Sequence, residues 1–194
     1  MNLPNKLTVL RMCMVPVFLF LLCVPLGIPD MWLRIITAVI FILTSLTDMI
    51  DGKIARKYNL ITDFGKFMDP LADKFLVIAA MLGLLVRLDG TLKTVFVWAA
   101  AIVIFREFAV TSLRMVAASA SGLVIAAAWL GKVKTVTQMI CITAVLLEPV
   151  ILPFPLFRDY HVLSYVTIAI MSVMTLWSGI DYLKTYAPYI SSKK

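Results

Sequence analysis

DMIDGKIARKYNLITDFGKFMDPLAD, residues 48–73, joins two long apolar runs and carries four aspartates, Asp48, Asp51, Asp69 and Asp73. Asp48 and Asp51 are three residues apart, and Asp69 and Asp73 are four apart, so on helices each pair lies on one face. The run before the stretch extends to residue 58 and the run after it begins at 64, which reads as an antiparallel helical hairpin. At a rise of about 1.5 Å per residue, the first helix ends about 10 Å past Asp51 and the second starts about 9 Å before Asp69. The two acidic pairs then meet at matched depth. Beside hydrocarbon a carboxylate is costly unless paired, bound to metal or wet, so these acids are candidate functional groups.

The rest of the chain is built for lipid. Of 194 residues 62% are hydrophobic and 15% charged, against about 25% charged in soluble domains. Six runs reach the length of about 20 apolar residues that a membrane helix requires, at 7–28, 32–58, 64–88, 92–118, 129–152 and 162–186. The connections are short and carry Gly, Pro, Ser or charge, so one all-α membrane domain with six transmembrane helices over 1–194 is expected. The first run follows Lys6 and Arg11 as a signal peptide would, but no small-residue cleavage site precedes the next run. Helix one is therefore expected to stay in the mature protein.

Charge sets an expected orientation. Of the 18 Lys and Arg residues, only Arg34, Arg87, Lys93 and Arg158 fall on the side away from the acidic hairpin. The positive-inside rule then places the hairpin and both termini in the cytoplasm. The net charge of +7 borders apolar runs, which suits anionic headgroups and argues against a nucleic-acid partner. Cys13, Cys23 and Cys141 have no paired spacing and read as apolar fillers. The scattered Met residues and the lone His161 carry no site.

Four facing carboxylates repel one another, and cations resolve the repulsion. All-oxygen donors suit Mg²⁺, Mn²⁺ or Ca²⁺, and two such ions bridged by carboxylates make a clamp for phosphoryl chemistry. Gly52 and Gly65 leave room for a bulky group, Ala55 lets helices approach, and Arg56 is placed to grip a phosphate. Salt bridges from Lys53, Arg56, Lys66 and Lys74 are the simpler alternative for the acids, and Asp63 reads as a helix N-cap.

As a pattern, Asp48-x-x-Asp51-Gly52-x-x-Ala55-Arg56, then eight residues, then Gly65-x-x-x-Asp69-x-x-x-Asp73 resembles the complete signature of the CDP-alcohol phosphatidyltransferases. The resemblance implies displacement at the β-phosphorus of a CDP-linked lipid with release of CMP. It implies two Mg²⁺ or Mn²⁺ ions, one held by Asp48, Asp51 and Asp69 and the other by Asp48, Asp69 and Asp73. Gly52, Arg56 and Gly65 would contact the CDP moiety, and Asp73 would be the general base. It also implies a homodimer.

The signature does not name the alcohol. The opening Asn2-Leu-Pro-Asn5-Lys-Leu-Thr8-Val-Leu-Arg11, the run Arg106-Glu107-Phe108 with Arg114, and Gly131-Lys132-Val-Lys134-Thr135 resemble the bacterial phosphatidylglycerophosphate synthases. Those enzymes act on CDP-diacylglycerol and sn-glycerol 3-phosphate in the cytoplasmic membrane. A glycerol phosphate is a dianion and needs a cationic pocket, for which Arg106, Arg114, Lys132 and Lys134 are the candidates. Arg106 lies two turns deeper than Arg114, where an unpaired cation is costly, and Glu107 is its candidate orienting partner. Topology anchoring is the alternative for all four. Thr8 is assigned to the nucleotide and Arg11 to the acceptor phosphate. Inositol phosphate, serine or phosphatidylglycerol as acceptor, and a divalent-cation transporter using the same acids, are the competing functions.

Overall fold

The computed structural model describes residues 2–57, 63–121, 129–152, 154 and 160–191. Its six helices are α1 (Leu3–Cys23), α2 (Asp30–Lys57), α3 (Asp63–Arg87), α4 (Gly90–Ser121), α5 (Trp129–Ile151) and α6 (Val162–Ser191). The described residues contain no strand.

Helix α1 begins with Pro4 in its first turn, where a missing N–H costs nothing, and ends at Cys23, five residues short of the expected Ile28. The apolar run continues through Val24-Pro25-Leu26-Gly27-Ile28, but hydropathy does not hold a helix there. Pro25 disfavours helical backbone at Val24, which is extended at φ −96° and ψ 131°. Gly27 then turns the chain at φ +68°. Helix α2 starts two residues earlier than expected, where Arg34 Nε donates to Asp30 Oδ2 at 2.5 Å across one turn.

Among the described residues, five helices are long and apolar enough to cross a membrane, and α3 is not one of them. Asp69, Asp73 and Lys74 occupy its first half, and its uncharged stretch covers only 75–86, about 18 Å of helix. Helix α3 packs against α1, α2, α4 and α5. Its Leu76, Ala80, Met81 and Leu84 are buried in one core cluster with Phe18 of α1, Phe41 of α2 and Phe96 of α4.

Packing closes the helices into a ring in the order α1, α2, α5, α6, α4, α3, with α3 also reaching α2 and α5 across it. Small residues set the closest approach. A Cβ on Gly83 would lie 2.6 Å from Leu22 Cδ1 and 3.2 Å from Leu22 Cβ, so α1 and α3 meet closely here and any larger residue would make Leu22 shift.

Polar staples hold the end away from the acidic hairpin. Arg87 Nε donates to Leu22 O at 2.7 Å and Nη1 to Asp30 Oδ1 at 3.1 Å, so the last residue of α3 caps an open carbonyl of α1 and meets the start of α2. Glu148 of α5 caps α6 in turn. Its Oε1 accepts from Leu163 N at 2.7 Å, and its Oε2 accepts from Ser164 N at 2.8 Å and from Ser164 Oγ. At 1% exposure this carboxylate satisfies orphan amides at the positive end of the α6 dipole.

Candidate active site

Asp69 and Asp73 stand one turn apart on α3, both half-buried. Across from them on α1, Thr8 donates from Oγ1 to Asp69 Oδ1 at 2.5 Å. Gly65 is buried four residues before Asp69. The α2 backbone is helical through Asp48, Asp51, Gly52 and Arg56, as the hairpin reading requires. The side chains of Asp48, Asp51 and Arg56, with that of Asp63, lie outside the described residues.

Asp73 opens into a cavity of about 960 Å³. At that end the wall contains Lys74, Arg106, Arg114, Lys132 and Lys134 against the two carboxylates of Asp73 and Glu107. Among the described residues the cations on this wall outnumber the carboxylates, an arrangement that suits an anionic ligand. The rest of the wall is mostly apolar, including Ile42 and Leu46 of α2 and Met139, Ile140 and Leu147 of α5, with Thr143, Glu148 and Thr167 also lining it.

The cations are not loose. Glu107, itself buried, accepts from Lys134 Nζ and from Arg106 Nη1, the latter at 3.4 Å. Arg106 and Lys134 are 8% and 5% exposed, so one carboxylate orients two buried cations, one on its own helix α4 and one on α5. Lys74 Nζ donates to Thr111 Oγ1, which donates to Glu107 O at 2.7 Å, and this chain of bonds ties α3 to α4. Arg114 and Lys132 are exposed at the mouth.

The depth order read from the sequence holds, with Arg106 buried and Arg114 exposed. Arg11 is buried on α1 and is not part of the cavity wall; Thr8 reaches Asp69 and is not part of it either. Three groups at the site went unread in the sequence. Thr111, Ser178 and Tyr182 meet Lys74 or Arg106 only through helix pairing, and the sole hint was polarity in otherwise apolar helices.

The sequence model for CDP-alcohol phosphatidyltransferase matches residues 1–177. The chain belongs to the CDP-alcohol phosphatidyltransferase family. Among relatives of this phosphatidyltransferase, the CDP-diacylglycerol–glycerol-3-phosphate 3-phosphatidyltransferase of Bacillus subtilis is 45% identical over 163 residues, covering 80% of each chain. A probable phosphatidylglycerophosphate synthase of Mycobacterium tuberculosis is 37% identical over 182 residues, 94% of this chain and 80% of the relative. A CDP-diacylglycerol–glycerol-3-phosphate 3-phosphatidyltransferase of Salmonella typhimurium is 34% identical over 183 residues, 94% of this chain and 93% of the relative. The matched region contains the α3 aspartates and the cations around Glu107, so the family assignment and the cavity concern the same part of the chain.

Proposed function

We propose that this chain transfers the phosphatidyl group of CDP-diacylglycerol to sn-glycerol 3-phosphate, giving phosphatidylglycerol phosphate and CMP. One observation carries the reading. Asp73 lines the same cavity as Arg106, Lys132 and Lys134, which supports a proton acceptor beside a cationic receptor of the kind a phosphomonoester acceptor requires. The names of the relatives support the same substrates.

The donor diphosphate would lie between α2 and α3, with Gly52, Arg56 and Gly65 against the CDP moiety and Thr8 beneath the nucleotide side. The apolar continuation of the cavity between α2 and α5 supports a substrate that carries acyl chains. Arg106, Arg114, Lys132 and Lys134 would bind the acceptor phosphate and hold its hydroxyl toward Asp73, and Arg11 would add charge from α1. Asp73 takes the hydroxyl proton on a carboxylate oxygen as the hydroxyl oxygen bonds to the β-phosphorus. The bond from that phosphorus to the CMP oxygen breaks, and CMP leaves with the electron pair.

Asp48, Asp51, Asp69 and Asp73 would hold two Mg²⁺ or Mn²⁺ ions. The two described members fit that role: hard oxygen donors on one helix face, with the Asp69 carboxylate oriented by a hydroxyl as metal-bound carboxylates commonly are. When bound, such ions supply positive charge to the transferring phosphoryl group and the departing CMP. We place the site on the cytoplasmic side of a bacterial inner membrane, with all six helices spanning, both termini inside and a homodimer as the working unit. The excess of Lys and Arg on that side supports the orientation.

The test is an acceptor screen on the purified protein in detergent, following CMP release from CDP-diacylglycerol. Release that requires glycerol 3-phosphate and a divalent cation is expected. Release that ignores glycerol 3-phosphate but is fast with inositol phosphate, serine or phosphatidylglycerol contradicts the assignment of the acceptor.

A further inference from the structure

The Arg106 guanidinium is held from outside its own helix. Ser178 of α6 accepts a bond from Nη2 at 2.5 Å. One turn on, the Tyr182 ring lies under the guanidinium, 5.4 Å from Cζ to the ring centroid. Between them Gly179 lets the arginine stem pass, since a Cβ there would fall 3.2 Å from Arg106 Cγ. Ser178 and Tyr182 are 0% and 4% exposed, so neither contact is a surface accident.

A side chain fixed on one edge and one face still has donors to give. A guanidinium carries five N–H groups. Among the described residues, Nη2 meets Ser178, Nη1 meets Glu107 only at 3.4 Å, and the buried Nε has no hydrogen-bond partner. A buried donor left open is costly unless a ligand fills it. Arg106 lines the cavity, and a phosphate monoester offers the planar array of oxygens that a guanidinium fork accepts.

We infer that Ser178, Gly179 and Tyr182 form a positioning cradle on α6 that presets the Arg106 guanidinium for the phosphate of the acceptor. The inference rests on the reading of Arg106 as an acceptor-phosphate ligand. It adds that acceptor affinity is set from α6, a helix that carries none of the signature aspartates. Presetting lowers the ordering cost of binding, and the P–O bond changes occur elsewhere, at the β-phosphorus, with the proton going to Asp73. Loss of the cradle therefore weakens acceptor binding and leaves the chemical step in place.

The experiment is steady-state kinetics on purified full-length variants, with glycerol 3-phosphate and CDP-diacylglycerol varied in turn. Ser178→Ala, Gly179→Ala and Tyr182→Leu are each expected to raise KM for glycerol 3-phosphate about five- to twentyfold. The same variants keep kcat and KM for CDP-diacylglycerol within about twofold. Tyr182→Phe keeps the ring face and should raise KM for glycerol 3-phosphate much less than Tyr182→Leu does. In an Arg106→Ala background, Tyr182→Leu should change nothing further, because a positioning residue has no effect without the group it positions. If Arg106→Ala raises the acceptor KM while Ser178→Ala and Tyr182→Leu do not, the cradle is wrong and the acceptor site stands. Should Arg106→Ala leave the acceptor KM unchanged, the underlying reading of Arg106 fails as well. If Tyr182→Phe is as impaired as Tyr182→Leu, or if kcat falls with KM constant, the positioning role is overturned even though the fold is intact.

Discussion

Thr8 and Asp69, 61 residues apart in sequence, are joined by a 2.5 Å hydrogen bond in which the hydroxyl of α1 donates to the carboxylate of α3. A hydroxyl that donates to one carboxylate oxygen fixes the rotamer and leaves the other oxygen to face the site. Partners of this kind are commonly worth 10- to 100-fold in metal affinity. Thr8→Val, which keeps the shape and loses the donor, is expected to raise the Mg²⁺ concentration for half-maximal CMP release about tenfold. Thr8→Ser should restore it. The titration of activity against Mg²⁺ checks this, and an unchanged midpoint in Thr8→Val would remove the orienting role.

Glu107 is the shared anchor of two buried cations, so its neutralisation should cost more than either contact alone. In Glu107→Gln the amide keeps an acceptor oxygen but the charge is gone, leaving Arg106 and Lys134 buried beside each other. Breaking buried pairs in this way costs about 3–5 kcal/mol. A lower unfolding temperature in detergent is expected, together with a raised KM for glycerol 3-phosphate. Adding Lys134→Met to Glu107→Gln should recover part of the stability and none of the acceptor affinity. Unfolding curves of the single and double variants decide it.

The Glu148 cap should act on stability alone. Glu148→Ala strips the acceptor from Leu163 N and Ser164 N and leaves two amides orphaned in a buried position. About 1–3 kcal/mol is expected for such a loss. Glu148 stands 14 residues along α5 from Lys134, about 21 Å away, so KM for glycerol 3-phosphate should not move. Thermal unfolding and kinetics on one preparation separate the two effects. A raised acceptor KM in Glu148→Ala would contradict this division of roles.

The helix inventory was legible because each apolar run exceeds what a globular core needs, and the acidic hairpin because four aspartates in lipid surroundings have few reasons to exist. The end of α1 was misread for a physical reason. Val24 through Ile28 is apolar, but Pro25 and Gly27 decide the backbone there, and hydropathy does not register them. Arg106 announced itself as a cation deep in an apolar run. Ser178 and Tyr182 did not, because their meaning depends on α4 lying against α6, a pairing across 72 residues that no local pattern encodes. The same holds for Thr111 and Glu148, whose partners come from neighbouring helices.

Asp73 is asked to accept a proton, and that role differs from holding a metal. Asp73→Asn is expected to lower kcat by about 10²- to 10⁴-fold, the usual range for removing a general base. Binding of CDP-diacylglycerol in the absence of acceptor should persist, because Asp48, Asp51 and Asp69 remain. Equilibrium binding of the donor lipid and single-turnover CMP release check the two halves. Normal turnover in Asp73→Asn would end its assignment as base.

Transfer to glycerol 3-phosphate is tested most directly by following the carbon of the acceptor. Purified protein is incubated with CDP-diacylglycerol, Mg²⁺ and glycerol 3-phosphate labelled in its glycerol carbons, and the organic phase is counted and its lipid identified. The expected result is label in phosphatidylglycerol phosphate, equal in amount to the CMP released and absent without Mg²⁺ or in Asp73→Asn. CMP release with no label entering the lipid would contradict it.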